Sequence, residues 1–146
     1  MKVRCIKNKI SAIPQQQVRK WLKKYLNYDE NHSLELIKKG QVYTVYGLHF
    51  WEGHPFYFIC EEEDGEYPVT WYAGFFEVLD DRISKYWRLT YHSTELAFAW
   101  TSLVHKDWIA HKNFYENLVD GCEEEITLFC KYRKEMEEEF DSDSPA

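Results

Sequence analysis

Histidines are the residues of this sequence whose type most directly suggests metal binding or acid–base catalysis. There are six, at His32, His49, His54, His92, His105 and His111. None belongs to an HxH or HExxH motif or to a cluster with cysteine, so their spacing matches no metal site. The nearest to a pair are His49 and His54, which flank one turn beside Trp51 and Glu52. We therefore predict no metal, no cofactor and no metal requirement for folding.

Motifs for nucleophilic catalysis and phosphate binding are absent from the sequence. It contains no GxSxG, GxGxxG or GxxxxGKS/T motif, and its six glycines are isolated. Cys60 lies in an aromatic strand, where a buried structural cysteine is expected. An enzyme would need a site assembled from residues distant in the sequence, such as His49, Glu52, Asp80 and His92. We predict no catalytic residue and favour a non-enzymatic function.

The four cysteines predict free thiols. Cys5, Cys60, Cys122 and Cys130 include no CxxC pair, so neither a zinc ribbon nor a disulfide scaffold is indicated. Cys122 and Cys130 would lie about 12 Å apart on one helix, which is too far for a disulfide. The N-terminal residues carry scattered charges, and no stretch approaches the ~20 apolar residues of a membrane span. We expect small buried thiols in a cytoplasmic protein without a membrane segment.

Aromatic and acidic residues give the main signal for binding. Aromatic residues make up 18% of the chain and include six Trp, more than one core is expected to bury completely. The aromatic candidates lie near predicted strand ends, with core packing as an equal alternative for each: Trp51, Trp71, Tyr72 and Trp87. The acidic candidates are the run Glu61, Glu62, Glu63 and Asp64. The net charge of −7 predicts attraction of a basic partner and repulsion of nucleic acid.

Hydrophobic periodicity predicts a helix near each end of the chain. Apolar residues recur at steps of three and four from Val18 to Leu26. Four basic residues lie largely off that stripe: Arg19, Lys20, Lys23 and Lys24. The C-terminal helix starts near Asp120, because the acids at 123–125 favour a helix N-terminus. Its predicted buried stripe, interrupted by Arg133, is Ile126, Phe129, Cys130, Met136 and Phe140. Residues 108–118 are also predicted to be helical.

Strands are predicted in the middle of the chain. Residues 41–48, 56–60 and 67–72 have strand patterns. A turn at 51–55 joins the first two, and Asp64-Gly65, a dipeptide that readily accepts positive φ, joins the second and third. Phe75 and Phe76 would plug a barrel end, and residues 77–79 would close the barrel. The pattern leaves the type of residues 84–107 open.

Length and composition predict one α+β domain over residues 1–140, followed by a polar tail at 141–146 that is expected to fray. Hydrophobic residues make up 45% of the 146-residue chain, which is enough for one core without staples. The predicted core residues lie on the apolar faces of the periodic segments: Trp21, Val45, Phe58, Ile59, Val69, Val78 and Phe129.

Residues 36–80 resemble the SH3-like small barrels of bacterial and phage proteins. The segment has Lys38-Lys39-Gly40 before its first strand, then an aromatic strand, the Asp64-Gly65 hairpin and Phe-Phe-Glu-Val-Leu ending before Asp80. The resemblance implies a small antiparallel barrel or bent sheet, with an N-terminal helix and C-terminal helices. A small acidic chain of this kind is also similar in general character to bacterial immunity proteins, which neutralise a toxin by binding it. No residue role is carried over from either group.

These observations favour a non-enzymatic protein-binding module, of which an immunity-type inhibitor of a basic toxin or enzyme is one form. One alternative is a nucleic-acid-associated regulatory barrel, in which the basic helix contacts phosphates and aromatic residues stack on bases. Another is an enzyme whose site is not local in the sequence. The sequence indicates neither the identity of the partner nor the oligomeric state.

Overall fold

The fold combines helices with antiparallel sheet. A computed structural model describes residues 1–94 and 98–142. Within these residues there are four α-helices and eight strands, and every strand pair is antiparallel. The prediction of an α+β fold is therefore confirmed.

Three strands form a small sheet. Their order is β2-β1-β6, where β1 is Lys2–Cys5, β2 is Val42–Thr44 and β6 is Phe76–Asp80. β1 is central, and its alternate residues Val3 and Cys5 are fully buried, as expected for a strand with one face on the core. β2 and β6 are the edges of this sheet, so each directs backbone groups away from β1.

Five strands form a larger sheet in the order β5-β4-β3-β8-β7. They are β3 (Gly47–Trp51), β4 (His54–Ile59), β5 (Val69–Tyr72), β7 (Trp87–Ser93) and β8 (Ala99–His105). The last four residues of β4, 56–59, are buried in succession, because both faces of this strand are covered. β3 and β4 are joined by a tight turn at Glu52 and Gly53, whose φ values are 49° and 79°.

The predicted SH3-like barrel is not found in the described part of the chain. The strands of residues 36–80 are divided: β2 and β6 belong to the small sheet, and β3, β4 and β5 to the larger one. The strand predicted at 41–48 is interrupted, because the chain passes between the sheets at the buried residues Val45 and Tyr46. Residues 77–79 pair with β1 at an exposed edge, so they close no barrel.

The segment 84–107, which the sequence pattern does not assign, contains β7 and β8. These strands pair from Trp87 with His105 to Ser93 with Ala99, and β8 also pairs with β3. Leu89 and Tyr91 of β7 are 70% and 69% exposed. The sequence pattern is unclear here because these large apolar residues lie on an uncovered part of the sheet.

The helices are α1 (Gln16–Leu26), α2 (Lys106–Ala110), α3 (Phe114–Val119) and α4 (Glu123–Ser142). α1 matches the predicted N-terminal helix and ends at Asn27, whose φ of 55° is left-handed. The helix predicted at 108–118 is two short helices, separated by Asn113 with a φ of 57°. Residues 141–142, predicted as tail, continue α4, and residues 143–146 lie outside the described residues.

The main core joins residues of both sheets and α4. Along α4 the buried residues are Glu125, Phe129, Tyr132, Met136 and Phe140. Cys130 lies off this stripe and is exposed, as is Cys122, so the prediction of burial is wrong for both. Cys5 and Cys60 are buried as predicted. The helices within residues 1–94 and 98–142 all lack the length and apolar character needed to cross a membrane.

Most predicted core residues have buried positions. Val45, Phe58, Ile59 and Phe129 are buried, and Trp21 and Val69 are half-buried. Val78 is 46% exposed, so its prediction is wrong. It lies on β6, an edge strand of the small sheet, where alternation alone does not ensure that a covering element is present.

Candidate functional site

The predicted acidic run lies in the loop between β4 and β5, residues 60–68. Glu62, Glu63 and Asp64 are exposed, whereas Glu61 is half-buried and accepts a hydrogen bond from Trp71 Nε1 at 3.3 Å. Burial raises the pKa of the Glu61 carboxyl group, and the charge of Glu62 acts in the same direction. With the exposed Glu66, the loop thus holds four carboxylates in solvent and a fifth, that of Glu61, against a core tryptophan.

Arg133 of α4 fixes the shape of this loop. Its guanidinium donates hydrogen bonds to the backbone carbonyls of Glu63 and Gly65, the latter at 2.6 Å. Its Nε donates to Glu137 Oε1 at 3.2 Å. Gly65 has no positive φ, so Asp64-Gly65 is not the predicted left-handed turn. The loop closes a local turn through Gly65 N–H to the Glu62 carbonyl at 3.0 Å, and Arg133 of α4 holds that turn against the rest of the molecule.

Tyr46 contacts both Arg133 and Glu137, the two α4 residues that hold the loop in place. Its hydroxyl donates to the same Glu137 carboxylate at 2.7 Å, and the Arg133 guanidinium lies over its ring at 5.7 Å. Burial and the hydrogen bond to Glu137 raise the pKa of Tyr46, so it remains a protonated donor. Burial also raises the pKa of the neighbouring Cys60 thiol to about 11, which suits a structural cysteine and not a nucleophile.

A groove of about 520 Å³ lies between this loop, β2 and α4. We call it the acidic groove, because its lining includes the carboxylates of Glu62, Glu63, Glu137 and Asp141. Its cationic lining residues, Lys2 and Arg133, already have acidic partners, and Lys2 Nζ contacts Asp141 at 2.7 Å. Residues 41–44, which include β2, form the remaining wall. The groove therefore combines excess negative charge with the edge of a sheet.

Two of the aromatic candidates are core residues. Trp71 and Trp87 are 8% and 5% exposed, which corresponds to the core-packing alternative. Neither can present a wide contact surface in this fold. Trp87 Nε1 is buried and has no hydrogen-bond partner within residues 1–94 and 98–142.

The other two aromatic candidates are half-buried. Tyr72 packs against Phe56 at 5.9 Å and Phe75 at 5.8 Å between ring centroids. Trp51 stacks on Phe98 at 5.6 Å. The length of β4 separates Trp51 from Glu61 by about 20 Å at ~3.3 Å per residue. The fold therefore brings Glu61 and Trp71 together but leaves Trp51 at the opposite end of the strand.

His49 and His92 line a second cavity of about 220 Å³ over the larger sheet. We call it the histidine cavity. His49 Nδ1 lies 3.1 Å from Ser102 Oγ, and His92 Nε2 lies 3.2 Å from Thr90 Oγ1. Burial lowers the pKa of His49, and His92 acts in the same direction. The lining residues include no Asp, Glu, Lys or Arg, so the cavity is uncharged when both imidazoles are neutral.

The four residues considered for a catalytic site do not converge. His49 and His92 share the histidine cavity, but Glu52 lies at the β3–β4 turn and accepts a hydrogen bond from Trp21 Nε1 at 2.7 Å. Asp80 belongs to the small sheet and pairs with Arg82 at 2.5 Å. That hydrogen bond lowers the pKa of Asp80 to about 2. This set of residues supplies no acid–base pair in one cavity.

His111, Glu124 and Glu125 come closest to a metal-ligand arrangement among the described residues. Their ligand atoms lie within 4.8 Å of one another. Glu125 is buried and already accepts a hydrogen bond from Asn117 Nδ2 at 3.1 Å. Both carboxylates lie in the first turn of α4, where the helix dipole stabilises anions and opposes a cation. We therefore assign no metal site to this cluster.

The basic residues of α1 are partly engaged within the molecule. Arg19 donates to the carbonyls of Ile13 and Pro14 at 2.7 and 2.9 Å. Lys23 pairs with Glu30 at 3.3 Å. The Lys23–Glu30 pair offsets one positive charge of α1, and the bonds to the two carbonyls occupy donors of Arg19 that the nucleic-acid alternative would use on phosphates.

Comparison with known proteins gives no assignment. No protein-family model matches the chain, and no curated protein and no solved structure matches it. Function is therefore inferred from the geometry and charge of the described residues.

Arg133, Tyr46 and Glu137 anchor the acidic groove, and sequence reasoning did not predict them as site residues. One signal was present, because Arg133 interrupts the apolar stripe of α4 and a charge on a packed face needs partners. Its partners were not identifiable from the sequence, since Arg133 and Gly65 are separated by 68 positions. No local pattern connects the two segments.

Proposed function

We propose that this protein is a non-enzymatic binding module that uses the acidic groove to bind a basic protein. The observation that supports the proposal most directly is the anchoring of the acidic loop by Arg133. It places the carboxylates of the loop beside those of α4 before any partner arrives. An immunity-type inhibitor of a basic toxin or enzyme is one form of this function.

The charges of the groove suit association with a cationic surface. Glu62 and Glu63 are exposed and form no ion pair within residues 1–94 and 98–142. With a net charge of −7, the molecule would steer a basic partner and accelerate encounter. Because the loop is already held, little ordering would be needed on binding. The anchored loop therefore supports both faster association and lower entropic cost.

Binding of oligolysine at rising salt tests the proposal. We expect salt-dependent binding, because surface charges are screened over about 8–10 Å at physiological ionic strength. A variant with Glu62→Gln, Glu63→Gln and Asp64→Asn should lose most of this binding and show a slower association rate. Surface plasmon resonance with immobilised oligolysine gives both rates.

The matched control removes the same number of charges elsewhere. Glu116→Gln, Glu123→Gln and Glu124→Gln change exposed acids near the other end of α4, about 20 Å from Glu137 at 1.5 Å per residue. This control should bind oligolysine almost as well as the unmodified protein. Equal losses in the two variants would mean that only net charge matters, and the groove would then not be the binding site. Circular dichroism checks that both variants are folded.

A further inference from the structure

The acidic groove contains a backbone feature that the proposed function does not use. β2 is an edge strand, and residues 41–44 line the groove. Edge strands present unpaired N–H and C=O groups and can accept an additional strand from another chain. Here the edge faces a cavity of about 520 Å³, within the range typical of ligand sites.

The register of β2 identifies the free backbone groups. β2 pairs with β1 as Val3 with Tyr43, and the flanking bonds are Cys5 N–H to Gln41 C=O at 3.0 Å and Val45 N–H to Met1 C=O at 3.1 Å. Backbone bonds alternate in direction along an antiparallel strand. The N–H and C=O groups of Val42 and Thr44 therefore point away from β1. β2 has no second neighbour among the described strands.

The surroundings of this edge specify the chemistry of an added segment. Glu62 and Glu63 lie on the loop wall, and Glu137 and Asp141 on the α4 wall. A strand placed beside β2 directs alternate side chains to opposite faces, so basic residues at alternate positions can reach Glu62 and Glu63. These two carboxylates form no ion pair among the described residues, whereas Glu137 and Asp141 are already paired with Arg133 and Lys2. By contrast, β7, the edge strand at one side of the larger sheet, carries the exposed cation Arg88. Charge complementarity thus favours β2 for a basic segment.

We propose that the acidic groove binds an extended basic segment of its partner as an additional strand on β2. Main-chain hydrogen bonds to Val42 and Thr44 provide the register, and the groove carboxylates select Lys or Arg at alternate positions. This inference rests on the proposed function, because it specifies how the same groove recognises a basic protein.

The probe for this test is the hexapeptide Lys-Val-Lys-Val-Lys-Val, with the same peptide N-methylated at every residue as its control. N-methylation removes the backbone donors and leaves the charge unchanged. On the protein, Thr44→Pro removes an outward N–H from an edge strand, a position where proline is tolerated. Thr44→Val keeps that N–H and is the matched control. We expect Thr44→Pro and N-methylation each to weaken binding by about tenfold or more, as for loss of one or two hydrogen bonds.

Amide hydrogen exchange of the unmodified protein gives a direct result that does not depend on a variant folding. Bound peptide should slow exchange of the Val42 and Thr44 amides, whereas the Tyr43 amide, which already faces β1, should change little. Unchanged exchange at Val42 and Thr44 in the presence of saturating peptide would overturn strand addition. Equal affinity of the Thr44→Pro and Thr44→Val proteins would do the same.

The two proposals fail in different ways. The variant with Glu62→Gln, Glu63→Gln and Asp64→Asn separates the two proposals. If it loses hexapeptide binding but N-methylation of the peptide has no effect, the groove binds basic chains without strand addition, and only this inference is wrong. If the unmodified protein binds oligolysine but not the hexapeptide, only this inference is wrong. If it binds neither in a salt-dependent manner, both proposals are wrong. If binding is lost on N-methylation and on Thr44→Pro, and retained in Thr44→Val, strand addition is supported.

Discussion

The two ends of β4 are connected to their neighbouring strands in different ways. At the tight-turn end, the chain reverses direction at Glu52 and Gly53, which both have left-handed φ values, so local backbone geometry sets this connection. At the acidic-loop end, residues 60–68 connect β4 to β5, and Arg133 from a helix distant in the sequence holds this loop. A glycine-containing dipeptide is present in both connections, but only one uses its glycine for a left-handed turn.

The two ends also differ in what they can bind. The tight-turn end gathers aromatic rings, with Trp21 stacked on His54 at 4.0 Å. The acidic-loop end gathers carboxylates around a groove. A long-range anchor can hold like charges close together, because the Arg133 cation offsets part of their repulsion. The groove of the proposed function therefore lies at the end whose conformation depends on tertiary contacts.

Among the variants that test this contrast between the two ends, Arg133→Met should have the largest effect, because it keeps an aliphatic side chain and removes the hydrogen-bond donors. We expect the free energy of unfolding to fall by about 2–3 kcal/mol, because hydrogen bonds from a charged group are lost and carbonyl partners are left unsatisfied. The Gly65 amide, which donates to the Glu62 carbonyl at 3.0 Å, should exchange faster. Chemical denaturation and hydrogen exchange measure the two effects.

Arg19→Met is the control for this prediction, since Arg19 also bonds two backbone carbonyls but lies on α1, beside the tight-turn end. It should leave exchange of the Gly65 amide unchanged. If Arg133→Met also leaves this exchange unchanged, the loop is fixed by its own sequence and the contrast between the two ends is wrong.

A smaller effect is expected from alanine at the two glycines. Gly53→Ala should cost about 1 kcal/mol, because a residue with a Cβ is strained at positive φ, although open space surrounds the position. At Gly65 no positive φ is required, and the added Cβ would lie 3.1 Å from the Glu62 carbonyl oxygen and 3.3 Å from Cys60 Cβ, so these neighbours must move by a few tenths of an ångström. Its cost should be about 0.5 kcal/mol and smaller than at Gly53, because no strained backbone is added. Thermal or urea unfolding of both variants measures the loss of stability. Equal losses at Gly53 and Gly65 would indicate that Gly65 also needs a left-handed conformation, as predicted from Asp64-Gly65.

These glycines also show how far sequence reasoning reaches. The turn at 51–55, α1, α4 and the buried strand β4 follow from periodicity and turn residues, which act over a few positions. The division of strands between two sheets does not, because Gly47, which directly follows the change of sheet at Val45 and Tyr46, also fits inside the strand pattern of residues 41–48. The acidic residues were found from composition, whereas Arg133 and the edge of β2 depend on pairings between distant segments. Trp71 and Trp87 show the same limit, since residue type alone does not separate a buried ring from an exposed one.

The smallest effect, and the one with the clearest sign, concerns pH. Burial lowers the pKa of His49, which lies on β3 near the tight-turn end, and raises the pKa of Glu61 at the acidic-loop end. A histidine with a lowered pKa stabilises the fold fully above its unfolded pKa of about 6.5, and that contribution is lost as the pH falls toward the folded pKa. A carboxyl with a raised pKa destabilises the fold when ionised, and this cost is relieved as the pH falls through the folded pKa toward about 4.5.

Variants at these two residues separate the two effects. The free energy of unfolding of the unmodified protein, minus that of His49→Gln, should therefore rise with pH. The same difference taken against Glu61→Gln should fall with pH. His92 and Ser102 face His49, and Glu62 and Trp71 face Glu61, so each variant also reports the response of these neighbours. Urea denaturation at steps between pH 4.5 and about 7, around the ordinary pKa values of the two groups, gives both difference curves. If the two difference curves had pH slopes of the same sign, the pKa shifts of His49 and Glu61 would not have the opposite effects on stability that we expect.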